Sequence, residues 1–458
     1  MSKRSTYPNF LLLLLFTVFV VAPANANPLP SGSEVLSGRW HLSFELPNGY
    51  YRIPVEFVVM SDGRVDFAVL GRPDPLALSS GGGKLSGHKL SLNALSQFGK
   101  LKISATLNGD KLQGRWSPSG FFAKLFFKGE LLGERDRGTI SSASRVRVFD
   151  DVWEQIRTRF YDPRLNGIDW RETHLRYRPQ VEAARSDAEF VGIIRRMLGQ
   201  LHSSHLEFFA IPGNQSVWEP KQDAPRRTVT WRRQSSRVGY LKISGFDDDP
   251  RSRADIDRAF AELGQLPSLV IDLRGNRGGA LGIAMRTGDH LFAKETPVGY
   301  FVNRAGLIQR GATSINQINL TSVPAYSGYD TKGLFKAVEE NGGVLLKTGG
   351  QVPTIYQGRV ALLVDEYTYS AAEAFAGVLK ETRVATIVGR RTAGGMLGPE
   401  LVSLANGWVV VIPVMDFRTA RGTRLEGAGV DPDIVVTPRK GGDPELARAV
   451  EAITDNKQ

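Results

Sequence analysis

The spacing of apolar residues changes along this chain of 458 residues, and each spacing restricts the backbone to one kind of secondary structure. Between about Gly38 and Glu130, apolar and polar residues alternate in short runs, which is the pattern of strands with one buried face. Turn signals such as Asp62-Gly63 separate the runs, and Gly81-Gly82-Gly83 is predicted as another turn. Residues 34–133 are therefore expected to form an antiparallel β-barrel or sandwich, with predicted strands at 40–44, 55–59, 89–92, 101–105 and 121–127.

A helical spacing replaces this alternation in residues 142–206. Apolar residues recur every three or four positions over 146–160 and again over 190–201, which predicts two amphipathic helices around the loop Tyr161-Asp162-Pro163. The next region, residues 226–440, alternates apolar strands with helices. Such alternation predicts a mostly parallel α/β core. Its predicted strands are 238–243, 268–273, 360–364 and 385–388, and its predicted helices include 252–263 and 371–380.

The first 26 residues have the composition of a signal peptide. Lys3 and Arg4 precede the apolar run Phe10–Val21, and the small residues that follow offer cleavage after Ala24 or Ala26. The run is shorter than the roughly 20 residues that span a bilayer, so an uncleaved membrane anchor is the less favoured alternative. We expect export to the periplasm or the extracellular space, with no integral membrane segment once the leader is removed.

Composition excludes several kinds of function. The chain has no cysteine, which rules out a thiol nucleophile and a disulfide framework. Its formal net charge is +11, but the basic residues are spread out and are not interleaved with aromatic side chains as on a nucleic-acid surface. His174 and His290 lack partners at metal-ligand spacing. We therefore expect no nucleic-acid partner, no metal and no cofactor.

Two strand ends carry residues suited to catalysis. Ser370 follows the strand 360–364 and immediately precedes a helix, where free N–H groups and the helix dipole stabilise negative charge. The alternative is a plain N-cap serine that forms a capping box with Glu373. The segment Asp272–Gly279 is again a strand end with a glycine-rich turn. A glycine N–H there would serve as an oxyanion donor, unless the segment is only a tight turn.

In order, these segments resemble the carboxyl-terminal processing (tail-specific) and tricorn-core serine peptidases. The shared features are Asp-Leu-Arg followed by Asn and paired Gly, then Ser-Ala-x-Glu, and finally the stretch Glu426–Ile434. The resemblance covers about Val146 to Val436. It implies a β-α superhelical core of the Clp-protease and crotonase type, with Ser370 as nucleophile.

The resemblance also bears on the general base. Processing proteases take a lysine from a segment that matches Thr392–Met396, but the lysine position is Gly395 here. The tricorn branch uses a Ser-His pair, which matches Ser204-His205, with Glu426 acting through Ser204. The resemblance implies backbone oxyanion donors at Ala371 and at Gly278 or Gly279.

His202 competes with His205 as the base, and His205 is the preferred assignment. A histidine titrates near neutral pH and so suits proton transfer from a serine. Lys380 lies on the helix after Ser370 and is interpreted as a solvated side chain.

The stretch between His205 and Val238 is shorter than the roughly 50 residues of the smallest domains, so it has no room for the PDZ domain common in processing proteases. The sequence thus predicts an exported serine peptidase acting on peptides or unfolded proteins. One alternative is a non-catalytic ligand- or peptide-binding protein on the same fold. Another is that the β-domain binds a lipid or glycan and peptidase activity is secondary.

Overall fold

The computed structural model describes residues 36–46, 49–72, 77–96, 99–119, 128–136, 141–211, 218–220, 227–326, 328–350, 352, 355–437, 439 and 441–454. The predicted leader and the predicted strand 121–127 lie outside the described residues. Within these ranges no helix has both the length and the apolar character needed to cross a membrane.

Eight antiparallel strands form a closed barrel at the start of the described chain. Each strand pairs with the next, and β1 also pairs with β8, which closes the sheet. Trp40, Phe57 and Trp116 are among the buried side chains that fill the interior. The prediction of an antiparallel β-domain is confirmed, and the barrel is the form it takes. The strands are β1 (Gly38–Leu46), β2 (Gly49–Val59), β3 (Arg64–Val69), β4 (Gly81–Ser86), β5 (Lys89–Ser96), β6 (Gly99–Asn108), β7 (Lys111–Pro118) and β8 (Gly129–Arg135).

The prediction of a turn at Gly81-Gly82-Gly83 is wrong, because these residues begin β4 and pair with β5. A Cβ at Gly81 would lie 2.1 Å from the Asn93 carbonyl oxygen, and one at Gly83 would lie 1.9 Å from that of Ser91. The missing side chains therefore allow two strands to approach closely, which is a second role of glycine in sheets.

Three helices follow the barrel, where the sequence predicted two. They are α1 (Ser142–Arg159), α2 (Trp170–Ala183) and α3 (Asp187–Gly199). Helix α2 escaped prediction because it is mostly polar, contains Pro179 and buries only one narrow stripe that includes Trp170 and Tyr177. The barrel contacts this subdomain directly. Glu56 accepts hydrogen bonds from the N–H groups of Asp187 and Ala188 at the start of α3, and Arg39 pairs with Asp187 at 2.6 Å.

The described residues that follow these helices form two six-stranded sheets. The first has the order β11-β12-β13-β17-β18-β21 and is parallel except for β11, as predicted. The second, mostly antiparallel sheet was not predicted; it has the order β15-β16-β14-β20-β19, with β9 also paired to β20. These strands are β9 (Glu207–Ala210), β11 (Val229–Arg233), β12 (Val238–Ile243), β13 (Ser268–Asp272), β14 (Thr296–Asn303), β15 (Ala325–Tyr326), β16 (Gly343–Thr348), β17 (Arg359–Val364), β18 (Ala385–Gly389), β19 (Leu397–Ser403), β20 (Trp408–Thr419) and β21 (Ile434–Val435). A short β10 (Trp218–Pro220) pairs with β2 of the barrel.

Helices pack against both of these sheets. They are α4 (Pro250–Leu263), α5 (Leu281–Asp289), α6 (Arg304–Gln309), α7 (Thr331–Asn341), α8 (Ala371–Thr382) and α9 (Pro444–Thr454). Helix α9 follows residue 440 and buries Leu446, Ala449 and Ile453 against the first sheet. Strands β13 and β17 are parallel neighbours, with Asp272 opposite Leu363. Because parallel strands end at the same edge, the glycine turn after β13 and the turn before Ser370 meet there.

Candidate active site

Ser370 occupies the position just before α8 in a backbone conformation that residues other than glycine rarely adopt. Its φ is 57° and its ψ is −125°. Such conformations persist only where the surroundings hold them, and they concentrate at functional sites. The Ser370 Oγ lies 3.1 Å from His205 Nε2. The hydroxyl therefore has a histidine partner at hydrogen-bond distance, which a plain N-cap serine does not require.

A chain of hydrogen bonds continues from the other nitrogen of His205. Its Nδ1 lies 2.9 Å from Ser204 Oγ, and that hydroxyl donates to Glu426 Oε2 at 2.7 Å. Since the Ser204 hydrogen points at Glu426, the Ser204 oxygen is left to accept from a protonated Nδ1. This arrangement leaves a lone pair on Nε2, facing Ser370.

Backbone groups hold Glu426 in place. Its Oε1 accepts from the Ser204 N–H at 2.8 Å, and its Oε2 also accepts from the Met396 N–H at 2.9 Å. The carboxylate thus joins the segment that carries the histidine to the segment that carries Gly395. The structure brings together the four predicted side chains Ser370, His205, Ser204 and Glu426.

The imidazole of His205 is strongly desolvated. Burial, together with the smaller effect of the nearby positive charge of Arg72, lowers its pKa to about 4. At neutral pH the ring is therefore uncharged and able to accept a proton. Arg72 follows the barrel strand β3, so the barrel contributes to the electrostatics of this site.

Glycines beside Ser370 leave room for a bound carbonyl. A Cβ at Gly278 would lie 2.8 Å from Ser370 Cβ and 2.9 Å from the Ala371 nitrogen, so all three residues are adjacent. The Gly278 N–H donates to Asn276 Oδ1 at 2.8 Å. Among the described residues, no partner occurs for the N–H of Gly279 or of Ala371. Of the two predicted alternatives, Gly279 is therefore the one with an N–H left to donate.

Asp365 and Thr368 join the two turns at the sheet edge. Asp365 Oδ1 accepts from the N–H groups of Gly275 and Thr368, both at 3.0 Å, and Thr368 Oγ1 donates to the Leu273 carbonyl at 3.1 Å. Asn276 adds a third link, because its carbonyl accepts from the Tyr369 N–H at 3.0 Å. These contacts fix the position of the Gly278–Gly279 backbone relative to Ser370.

Glu373 has a larger role than the capping box that the sequence suggested. Its buried carboxylate accepts from the Ser370 N–H at 3.1 Å, as a capping residue does, and also from Thr392 Oγ1 at 2.5 Å and from the N–H groups of Gly394 and Gly395 at 2.7 and 2.8 Å. Burial raises the pKa of Glu373 and these hydrogen bonds oppose the rise. No local sequence signal predicts the contacts with 392–395, because they join residues about 20 positions apart.

Tyr369 fills the space that a side chain at position 395 would need. A Cβ on Gly395 would lie 2.0 Å from Tyr369 Cε2. The tyrosine ring also stacks on His205, with centroids 4.7 Å apart and planes at 28°. In the sequence, position 395 stands out only as a missing lysine, and no local pattern points to Tyr369.

The remaining candidate residues have contacts other than Ser370. His202 is exposed, in a surface cleft of about 400 Å³ that Ser204 and Glu426 also line. Lys380 pairs with Asp433 at 3.6 Å. His174 and His290 bind Asp150 and Asp257 at 2.8 and 2.9 Å. In the part of the chain that the structure describes, no group of three or more His, Asp or Glu side chains could hold a metal ion.

The Asp-Leu-Arg residues stabilise the fold. Asp272 accepts from Tyr240 and Lys242, and Arg274 pairs with Asp272, Asp443 and Glu445. These ion pairs attach the start of α9 to the end of β13.

Comparison with known families supports the interpretation of these motifs. Residues 237–436 match the model of peptidase family S41. The chain carries a peptidase family S41 domain. Residues 141–199, which precede the S41 domain, match the tricorn protease C1 domain.

Curated relatives of the S41 domain are processing and tricorn-type proteins. The C-terminal processing peptidase of the Tetradesmus obliquus chloroplast is 28% identical over 203 residues, which cover 44% of this chain and 35% of that protein. Putative tricorn protease homolog 2 of Streptomyces coelicolor is 36% identical over 69 residues, or 15% of this chain and 6% of that protein. The matches thus span about a third or less of the length of these relatives.

A solved structure shares the fold. A putative peptidase from Parabacteroides merdae superposes with a TM-score of 0.50 at 18% identity and covers 70% of this chain and 98% of its own. The predicted α/β core with a helical subdomain is thereby confirmed.

Proposed function

We propose that this protein is a serine peptidase in which Ser370 is the nucleophile and His205 is its general base. The observation that carries the proposal is the continuous chain from Ser370 Oγ to His205, Ser204 and Glu426, with links of 3.1, 2.9 and 2.7 Å. The same logic of nucleophile, base and orienting acid recurs on unrelated folds.

The first chemical step follows from the protonation states. Ser370 Oγ attacks the peptide carbonyl carbon and forms a C–O bond, while its proton passes to His205 Nε2. The proton then moves to the amide nitrogen as the C–N bond breaks, and the amine leaves. A water molecule then attacks the ester carbonyl while its proton passes to His205. The ester C–O bond breaks, and the proton returns to Ser370 as the acid product leaves. Throughout, Ser204 accepts from Nδ1–H and transmits the charge of Glu426.

The negative oxygen of the tetrahedral intermediate would be held by the N–H groups of Ala371 and Gly279. Ala371 directly follows Ser370, and Gly279 follows Gly278, which lies against Ser370. Neither N–H needs to give up another hydrogen bond within the described residues. Ala371 also lies at the positive end of α8. Loss of one such donor typically costs 10²- to 10³-fold in rate.

The substrate class we infer is peptides or unfolded proteins, in keeping with relatives named processing peptidases and tricorn protease homologs. We also propose export to the periplasm or outside the cell, from the leader at 1–26. The proposed units are the barrel over 34–133, the helical subdomain over 142–206 and the peptidase core over 226–440. A ligand inside the barrel is disfavoured, because buried apolar side chains fill its interior.

A fluorophosphonate probe tests the nucleophile directly. The purified protein should become labelled at Ser370, and Ser370→Ala should lose both labelling and hydrolysis of a peptide mixture while its thermal midpoint changes little. Absence of labelling in the wild-type protein, or peptide cleavage by Ser370→Ala, would overturn the proposal in favour of a non-catalytic binding protein.

The base is tested by a matched pair of histidine variants. His205→Ala should lose activity by a factor on the order of 10³ or more, as removal of a triad member does elsewhere. His202→Ala, which changes an exposed ring only three positions away, should alter activity modestly. The reverse ranking would assign the base to His202.

A further inference from the structure

Tyr369 meets the base histidine in two ways. Its ring stacks on the imidazole with centroids 4.7 Å apart, and its hydroxyl lies 3.1 Å from His205 Nδ1. Nδ1 therefore has two hydroxyl neighbours, Ser204 Oγ at 2.9 Å and Tyr369 Oη. Burial raises the pKa of Tyr369, so the phenol stays neutral at physiological pH.

The tyrosine ring also lies against backbone. Gly395 lies so close that an added Cβ would sit 2.0 Å from Cε2 and 2.6 Å from Cζ of Tyr369. The Gly395 backbone cannot easily withdraw, because its N–H is bound by Glu373 and its carbonyl accepts from the Ser370 N–H at 3.1 Å. The ring thus packs against both the His205 imidazole and a fixed segment of backbone.

We propose that Tyr369 is a positioning residue for His205, and that glycine is required at 395 because the tyrosine ring occupies the space of a side chain there. This rests on the proposed function of the Ser370 site. The hydroxyl provides a second acceptor for Nδ1–H, which favours the tautomer whose Nε2 faces Ser370 and stabilises the imidazolium formed in the reaction. The stacked ring keeps the imidazole in the plane that this transfer needs.

A double-mutant cycle separates this role from a general packing role. Gly395→Ala should lower kcat by about 10²-fold, because the ring and then His205 must shift, and small displacements in a catalytic group cost that much. Tyr369→Ala should lower kcat to a similar extent. In the Tyr369→Ala background, Gly395→Ala should cost nothing further. If the two losses simply multiply, the glycine is needed for another reason and the proposal fails.

Tyr369→Phe isolates the hydroxyl. It should keep the stack, lower kcat about 2- to 10-fold as expected for one hydrogen bond, leave KM unchanged and lower the apparent pKa of the base. Tyr367→Ala is the control, since Tyr367 lies on the same turn with 57% of its surface exposed; its kcat should equal that of the wild type. An unchanged pH profile in Tyr369→Phe would show that the Tyr369 hydroxyl has no part in positioning His205.

Nitrogen NMR of histidine-labelled protein gives a readout that does not depend on turnover. The His205 ring, assigned by comparison with His205→Ala, should carry its proton on Nδ1 at pH 7 in the wild type and show a mixture of tautomers in Tyr369→Ala. The same tautomer populations in both would refute the positioning role. If the wild type instead gives the expected spectrum but neither reacts with fluorophosphonate nor cleaves peptides, the proposed function fails while the Tyr369–His205 relationship stands.

Discussion

Arg72, which follows the barrel's third strand, forms an ion pair with Glu207, two residues after His205, with nitrogen and oxygen 2.6 Å apart. The guanidinium also lies 5.9 Å from the centroid of the Phe209 ring. The positively charged side chain of Arg72 therefore lies beside the segment that carries His205. The barrel and the segment that carries His205 share one electrostatic environment at this point.

The desolvated histidine predicts an unusual pH dependence. Because the pKa of His205 is lowered to about 4, the ring should already be neutral at pH 6, and kcat/KM should fall only as the pH drops through about 4. The measurement is a pH–rate profile of kcat/KM, which reports groups of the free enzyme. A half-maximal value near pH 6.5, the ordinary range of histidine, would contradict the desolvation inferred from the structure.

Removal of the Arg72 charge should shift the pH–rate profile to higher pH. Arg72→Gln takes away a positive charge that disfavours the imidazolium and leaves Glu207 unpaired, and both changes raise the pKa of His205. Arg72→Lys keeps the charge and is the matched control, with a smaller shift expected. A lower apparent pKa in Arg72→Gln, or an equal shift of the apparent pKa in both variants, would exclude the proposed charge effect.

Glu373→Gln should destabilise the fold. The buried carboxylate accepts four hydrogen bonds, whereas an amide turns one of its two ends into a donor that faces N–H groups. Leaving buried donors unpaired costs about 1 to 3 kcal/mol each. Urea unfolding should reveal a lower midpoint than for Glu339→Gln, which changes an exposed glutamate on α7. Equal midpoints would mean that water satisfies the freed donors.

The Ser204–Glu426 relay should affect turnover more than binding. Ser204→Ala removes the link between His205 and Glu426, and Glu426→Gln replaces the charge with a neutral amide. Since loss of the orienting acid costs up to about 10⁴-fold in direct triads, an intermediate loss of about 10² is expected where it acts through a hydroxyl. Steady-state kinetics should give lower kcat with similar KM. A change confined to KM would assign this pair to substrate binding.

Local patterns predicted those parts of the structure that depend on neighbours in sequence. The buried strands 268–273 and 360–364 and the helix after Ser370 follow from apolar runs and turn residues, and the ordered motifs pointed to Ser370 and His205. Glu373 and Tyr369 escaped because their contacts reach residues 392–395 and His205, far away along the chain. Gly81–Gly83 was misinterpreted for the same reason, since its requirement for glycine comes from a neighbouring strand.

Strand β10 is synthesised later than the barrel strands that it joins. It pairs with β2, with Trp218 opposite Tyr51, although more than 150 residues separate them along the chain. The eight barrel strands emerge first from the ribosome and are able to close among themselves. The extra strand joins them only after the helices and His205 have been made. Because β3 pairs with β2 only over residues 55–59, the edge of β2 at residues 49–51 remains for the segment that follows the base.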